Sequence, residues 1–423
     1  MDITFMVAMV IVLALFFDFT NGFHDTANAM ATPIATGAIK PKTAVALAAS
    51  LNLVGAFLST EVAKTISGGI IREGSEGIHI TPEIIFAGLL GAILWNMFTW
   101  LKGLPSSSSH ALFGGLIGAA LAGIGLHSVN FDTVMLKVIL PAVFAPIVAG
   151  SVAYLCTRVA YAITSRHDPE TGDKLTQKRG GFRTGQIFTS SLVALAHGTN
   201  DAQKTMGIIT LVLIAAGTQS AGSGPQFWVI CACALAIAIG TYSGGWRIIR
   251  TMGTGLTEVK PAQGFAAEAS TASAILASSH LGFALSTTQV ASGSVIGSGL
   301  GRKGTSVRWG TAGRIAVGWL FTLPAAGIVG ALAAYLVAIG PVGVLIAAVA
   351  GVGAIAYMFW YSRKDHVNHQ NTVEVEEAGE VVRFRKKRRS KPSSAITSAK
   401  KPAGPPQTRG TSNTDATSKE TGK

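Results

Sequence analysis

The feature that most constrains the fold is a cluster of polar side chains inside a long apolar stretch. It occupies residues 196–207, between an apolar run that ends at Leu195 and another that begins at Ile208. A charge near the centre of a bilayer costs at least about 2.5 kcal/mol, so such residues persist only where they have partners or a ligand. We therefore predict a functional site within a membrane segment. The polar members of this cluster are His197, Asn200, Asp201, Gln203 and Lys204.

A second polar cluster near the N-terminus has the same pattern. Residues 21–30 read NGFHDTANAM and follow another apolar run. An offset of 176 residues aligns Gly22 and Asp25 with Gly198 and Asp201. Polar interruptions at corresponding places in two halves of a chain indicate the mid-membrane binding site of a transporter. The sequence thus predicts a duplicated membrane transporter.

A Ser-rich segment is also repeated. Residues 103–110 read GLPSSSSH and residues 282–289 read GFALSTTQ, at an offset of 179. The helix after the second segment has only about a dozen residues before Leu300, too few to span a bilayer, so it is expected to stop at a cavity inside the protein. Both segments are predicted to be tips of re-entrant hairpins, where hydroxyls lie beside the free N–H groups of a helix N-terminus.

The composition independently favours a membrane protein. Hydrophobic residues make up 49% of the chain and charged residues 13%, and the mean hydropathy is +0.44. The hydrophobic fraction exceeds what a soluble domain needs for its core, and the charged fraction is lower than in a typical soluble domain. The net charge is +13, but the basic residues lie in loops and a tail without interleaved aromatic residues, so nucleic acid is not a predicted partner.

The charge distribution predicts the orientation and the domains. Lys40 and Lys42 follow the first membrane segment, and a basic linker separates the halves. Because basic loops face the cytoplasm, the N-terminus is predicted outside and the tail inside, which makes the repeats inverted.

About eleven membrane segments are expected, counting each hairpin helix as one, and the first is expected to break at residues 20–22. The predicted domains are a first transmembrane repeat (1–157), a cytoplasmic linker (158–184), a second repeat with C-terminal spans (185–362) and a disordered basic tail (363–423).

These motifs resemble those of the inorganic phosphate transporter (Pit/PiT) family. The run from His197 to Gly207 resembles its C-terminal signature, residues 22–29 its N-terminal signature, and residues 103–110 its Ser-rich hairpin in the form of bacterial low-affinity Pit proteins. His24 departs from the pattern, which usually has Asn there. The resemblance implies an all-α, polytopic protein of a bacterial plasma membrane, with two inverted repeats, broken helices and Ser/Thr-tipped re-entrant hairpins.

The hydrogen-bonding chemistry and charge of phosphate determine which residues are candidates for its binding site. The anion offers strong acceptors, so its site needs many donors and little net charge, which helix N-termini and neutral side chains supply. Carboxylates would repel the anion, so we assign Asp25 and Asp201, together with the side-chain oxygen of Asn200, to a coupling ion. The predicted phosphate ligands are Asn28, Ser107, Ser108, Ser109, Gln203, Ser286, Thr287 and Thr288. Further candidates are His24, His110, His197, Lys204 and Gln289, with Lys204 expected to pair with an aspartate when the site is empty.

The predicted function is symport of inorganic phosphate by alternating access, coupled to a proton or sodium gradient. The resemblance implies proton coupling and uptake of a neutral metal–phosphate complex, while sodium coupling, a sulfate permease and an anion channel stay open. No cofactor or resident metal is predicted, a divalent cation is a candidate co-substrate, and a homodimer is left open. An enzyme is not expected, because adjacent residues such as Ser109 and His110 rarely orient as nucleophile and base.

Three acidic residues lie outside the two polar clusters. Asp18 has no counterpart in the second half and is expected to be structural or to cap a helix. Glu258 is expected at the membrane interface beside Lys260, and Glu268 either there or at the cavity.

Overall fold

The computed structural model describes residues 3–71, 79–164, 180–364 and 367–368. Within these ranges the chain forms helices joined by short turns, and no β-strand is present, which confirms the predicted all-α class. The helices are α1 (Ile3–Ala35), α2 (Pro41–Gly55), α3 (Glu61–Gly69), α4 (Pro82–Leu101), α5 (Ser108–Gly123), a 3-10 turn (Leu126–Ser128), α6 (Phe131–Val134), which continues through a π-helical turn (Met135–Ile139) into α7 (Leu140–Thr164), α8 (Gly180–Ala215), α9 (Phe227–Ser243), α10 (Trp246–Thr254), α11 (Pro261–His280), α12 (Thr287–Gly301), α13 (Trp309–Val337) and α14 (Pro341–Ser362).

The first helix corrects the sequence prediction. α1 is continuous over 33 residues and passes through residues 20–22 without interruption, so the predicted break is wrong. At about 1.5 Å per residue it is about 50 Å long, well beyond the bilayer core. Gly22 serves close packing instead, because a Cβ there would lie 2.4 Å from the carbonyl oxygen of Ile237 in α9. The helix α8, which carries the second polar cluster, is likewise continuous over 36 residues.

Close helix contacts recur at corresponding positions in the two halves. A Cβ added to Gly118 in α5 would lie 2.0 Å from the carbonyl oxygen of Gly327 in α13. A Cβ added to Gly297 in α12 would lie 1.9 Å from the carbonyl oxygen of Gly150 in α7. Small residues allow membrane helices to approach this closely. The pairs α5–α13 and α12–α7 therefore each pack through two glycines, and the offset of 179 relates Gly118 of α5 to Gly297 of α12.

The outer surface is that of a membrane protein. In the described ranges, five helices are long and apolar enough to cross a membrane, and α9 with α10, bent by 68°, forms a sixth candidate. Fewer segments qualify than the eleven or so expected, because α2, α5 and α12 are short and α8 carries the polar cluster. The outward faces of α7, α13 and α14 expose apolar side chains such as Ile147, Leu320 and Val349. Soluble proteins rarely expose apolar surfaces of this extent.

Two hairpins reach the interior of the protein. The first joins α4 to α5 through residues 102–107, and the second joins α11 to α12 through residues 281–286. Each turn contains a glycine with positive φ, 64° at Gly103 and 69° at Gly282, a conformation that glycine adopts without a Cβ clash. The predicted hairpins with Ser or Thr at the start of the second helix are confirmed.

The ends of the predicted central linker are helical. α7 continues to Thr164 and α8 begins at Gly180, so helix covers both ends of the predicted linker 158–184. Residues 165–179 lie outside the described residues, as does the tail from residue 369 onward. The predictions for those segments stay predictions.

Candidate functional site

The two polar clusters meet where α1 packs against α8. Asp25 and Asp201, which correspond in the two repeats, are buried, with exposed fractions of 1% and 0%. His197 lies between them, with Nε2 2.8 Å from Oδ2 of Asp201 and 3.9 Å from Oδ2 of Asp25. One ligand atom from each of these three residues lies within 4.8 Å of the others. The two carboxylates therefore form one centre that shares an imidazole.

Asp25 contacts both hairpin tips. The hydroxyl of Ser108, the first residue of α5, donates to Oδ2 at 2.9 Å. The hydroxyl of Thr288, in the first turn of α12, donates to Oδ1 at 3.1 Å. His24 Nδ1 lies 2.6 Å from the same Oδ1. Asp25 is thus the point at which α1, α5 and α12 are joined by hydrogen bonds.

Asp201 has a different set of partners. The hydroxyl of Thr287 donates to its Oδ2 at 3.1 Å, and Asn21 Nδ2 lies 3.5 Å from the same atom. The ammonium of Lys204 bonds to Oδ1 of Asp201 and, at 3.2 Å, to the carbonyl oxygen of Leu285 in the second hairpin. Lys204 is completely buried. Its pairing with an aspartate agrees with the sequence expectation.

The two hairpin tips also contact each other. The hydroxyl of Ser109 donates to the carbonyl oxygen of Leu285 at 3.3 Å. His110 Nδ1 and Gln289 Nε2, which correspond at the offset of 179, lie 3.4 Å apart. The two repeated segments therefore meet at the same place in the structure.

Both hairpin helices are capped by the repeated hydroxyls. Ser107 accepts from the backbone N–H of His110 at 3.2 Å, and Ser286 accepts from that of Gln289 at 3.4 Å. A side-chain cap satisfies only part of the free N–H groups in a first helical turn. The start of each helix therefore keeps donors and a partial positive charge suited to an anion.

Several buried amide oxygens near this centre have no hydrogen-bond partner among the described residues. They include Oδ1 of Asn21, Asn28 and Asn200. The Asn28 amide nitrogen donates to Thr288 at 3.1 Å, and that of Asn200 donates to Ser279 at 3.0 Å. An unpaired buried acceptor costs about 1–3 kcal/mol, and carbonyl-type oxygens are ligands that hard cations prefer. These oxygens are therefore available to a donor or to a cation.

Gln203 is not brought to the hairpin tips. Its Oε1 accepts from the backbone N–H groups of Val62 at 2.8 Å and Ala63 at 3.3 Å, in the first turn of α3. Its Nε2 donates to the carbonyl oxygen of Thr199 in its own helix. The carboxamide therefore caps α3 in the described structure.

Asp18 lies in the interior of α1, so the expectation of a helix cap is wrong. Its side chain is completely buried beside the hydroxyl of Thr205. Neither carboxylate oxygen has a hydrogen-bond partner within the described part of the chain. It is a polar group held within the membrane part of the protein.

A further polar cluster surrounds Glu268, whose partners were not predicted from the sequence. Glu268 in α11, 3% exposed, accepts from the hydroxyls of Thr32 and, at 2.8 Å, Thr189. Gln186 Nε2 donates to the same carboxylate at 3.2 Å. The signal that could have revealed it is helical spacing, because Thr32 follows Asn28 by one turn on the same face of α1. Glu258 pairs with Lys260 at 3.2 Å near the surface of the protein.

Comparison with known proteins identifies relatives of this chain. The sequence profile described as "Phosphate transporter family" matches residues 21–330. A Mycobacterium leprae protein named "Probable low-affinity inorganic phosphate transporter" is 55% identical over 373 residues, which cover 88% of each chain. A Bacillus subtilis protein of the same name is 41% identical over 337 residues, which cover 79% of this chain and 98% of the relative.

A solved structure is also similar. It is entitled "The sodium-dependent phosphate transporter" and matches with a TM-score of 0.71, at 23% sequence identity, over 79% of this chain and 99% of the other. This likeness establishes the fold. The sequence relatives are named as transporters, a class distinct from enzymes. With the profile match over most of the chain, they show that the protein is a member of the phosphate transporter family.

Proposed function

We propose that the protein is a secondary active symporter that imports inorganic phosphate across the plasma membrane of a bacterium. The observation that carries this proposal is the convergence of both hairpin tips on Asp25 and Asp201. Helix N-termini and hydroxyls supply the donors that phosphate needs, and carboxylates beside them supply a place for a coupling ion. The names of the sequence relatives support phosphate as the substrate.

The hydroxyls provide a physical link between anion and cation binding. Each hydroxyl carries one proton and can donate one strong hydrogen bond. Those of Ser108 and Thr288 are donated to Asp25, and that of Thr287 to Asp201. A phosphate that takes these donors leaves the carboxylates without them. Because an uncompensated buried charge is expensive, phosphate binding then requires a proton or a cation at the carboxylates.

The coupling ion is proposed to bind at Asp25, Asn200 and Asp201. The unpartnered Oδ1 of Asn200 and the nearby Oδ1 of Asn28 are suitable ligands for sodium. Protonation of a carboxylate would satisfy the same requirement without a metal ion. Both the proton and sodium are therefore kept as candidates, and the experiment below separates them.

We further propose that the two repeats are inverted and exchange access to the site between the two sides of the membrane. The glycine contacts of Gly118 and Gly297 at matching positions support two related halves. Loop charges support an external N-terminus and a cytoplasmic tail. Transporters built this way move one half against the other around a fixed central site.

The test is uptake of radiolabelled phosphate by purified protein in liposomes, with the pH and sodium gradients imposed separately. We expect one of these gradients to drive phosphate above its equilibrium distribution. Competition by excess sulfate tests the substrate, and uptake with and without a metal chelator distinguishes free phosphate from a metal complex. Strictly downhill movement under every gradient would indicate a channel and refute symport.

A further inference from the structure

One residue breaks the correspondence between the two repeated signatures. The offset of 176 that aligns Asp25 with Asp201 also aligns Asn28 with Lys204. Each of these residues is three positions after its aspartate, and therefore lies beside it on the same face of a helix. The first copy thus has a neutral amide where the second has an ammonium.

The two positions have different chemistry in the structure. Asn28 donates through Nδ2 to Thr288 at 3.1 Å, while its Oδ1 has no partner among the described residues. Lys204 is completely buried, and its ammonium bonds to Asp201 and to the carbonyl oxygen of Leu285. The first copy therefore offers a free oxygen, and the second holds a positive charge against a carboxylate and a carbonyl.

We propose that Lys204 is a tethered cation that takes the place of a mobile coupling ion at the Asp201 half of the centre. Its ammonium has the charge of a sodium ion and lies against two oxygens of the type that bind sodium. This inference narrows the coupling-ion site proposed above from Asp25, Asn200 and Asp201 to its Asp25 half, where no lysine is present at the corresponding position. This inference rests on the proposed coupled transport of phosphate and identifies Lys204 as the residue that determines how many ions are coupled.

The test converts the second copy into the first with Lys204→Asn. Removing the ammonium leaves Asp201 without the positive charge of Lys204, and the new amide oxygen supplies a ligand for sodium. We expect the variant to gain one sodium-dependent step, so that phosphate uptake in saturating sodium is at least about ten-fold faster than in its absence, beyond any response of the wild type. A sodium response equal to that of the wild type, in a correctly inserted variant, would overturn the proposal.

Two control variants distinguish the effect of removing the positive charge at residue 204 from the effect of adding an oxygen ligand for sodium there. Lys204→Arg keeps a fixed cation and is expected to retain the wild-type sodium response. Lys204→Met removes the charge without adding an oxygen, and we expect low uptake that sodium does not restore. Wild-type uptake by Lys204→Met without sodium would show that the charge is not needed and would overturn the proposal.

A reciprocal variant and a binding measurement test the inference even if the Lys204 variants show no uptake. Asn28→Lys places a tethered cation beside Asp25, so no imposed gradient should drive phosphate accumulation; accumulation by this variant would contradict the inference. Sodium chloride, compared with potassium chloride, should raise the unfolding temperature of Lys204→Asn by more than that of the wild type. This shift does not require transport, so its absence counts against Lys204 as a tethered cation, whereas lack of uptake by the wild type counts against the proposed symport.

Discussion

The hydrogen bonds on Asp25 can be tested by a double-mutant cycle. Ser108→Ala removes the donor from the first hairpin, and Thr288→Ala removes the donor from the second. Both hydroxyls bond to the same buried carboxylate, one at each oxygen. The quantity of interest is the free energy of unfolding of the substrate-free protein for each single variant and for the double variant.

The structure determines the expected magnitudes. A hydrogen bond to a charged group contributes about 1.5–3 kcal/mol, so each single variant should be destabilised by about that amount. In the double variant, Asp25 keeps its contact with His24 at 2.6 Å but has lost the hydroxyl donors of both hairpin tips. The combined loss should therefore exceed the sum of the single losses by about 0.5–3 kcal/mol.

The measurement is reversible unfolding in mixed micelles, followed by a probe of helix content. Ser151→Ala is the matched control, because that exposed hydroxyl bonds, within the described residues, to the carbonyl oxygen of Ile147 in its own helix at 2.8 Å. This variant should change stability by less than about 0.5 kcal/mol. Single losses as small as the control, or strictly additive losses, would refute the conclusion that the two tips are joined through Asp25.

Three further predictions concern transport and packing. Asp25→Asn and Asp201→Asn should each abolish gradient-driven phosphate uptake in inserted protein, and normal accumulation by both would contradict the coupling site. Ser109→Ala should raise the half-saturation concentration for phosphate uptake by about ten-fold, because its hydroxyl makes a long, 3.3 Å bond to the carbonyl oxygen of Leu285 and can donate to phosphate instead; an unchanged value would exclude it as a ligand. Gly297→Ala should lower the free energy of unfolding by about 1–3 kcal/mol, while Gly313→Ala, which meets nothing within 4 Å, should not.

The hairpins could be predicted from the sequence, whereas the continuity of the first helix could not. A hairpin is encoded locally, by Gly103 or Gly282 at the turn and by hydroxyl residues that cap the following helix. Asn21 and Gly22 look like a local helix break as well. The function of Gly22 depends on the carbonyl oxygen of Ile237, more than two hundred residues away, and only the packed structure shows it.

The site was predicted where helical spacing and repetition agree. Asp25 and Asp201 come together because each lies at the same position of a repeated helix. Gln203 lies two residues after Asp201, about 200° around the helix, so it points away from that centre and caps α3. Glu268 has no counterpart in a repeated motif, and its cluster depends on the packing of α11 against α1 and α8.

The charges at the centre support the proposed transport of an anion together with a cation. The ammonium of Lys204 pairs with Asp201, whereas the described ion-pair partners of the Asp25 carboxylate are two histidines, His24 at 2.6 Å and His197 at 3.9 Å. Phosphate adds negative charge to the same buried volume and, in the proposed mechanism, takes hydroxyl donors from that carboxylate. Both changes raise the free energy of the loaded site unless a cation or proton enters with the anion. In the proposed mechanism, departure of the anion removes the negative charge that the cation balances, so the two are released together and the gradient of one drives the movement of the other.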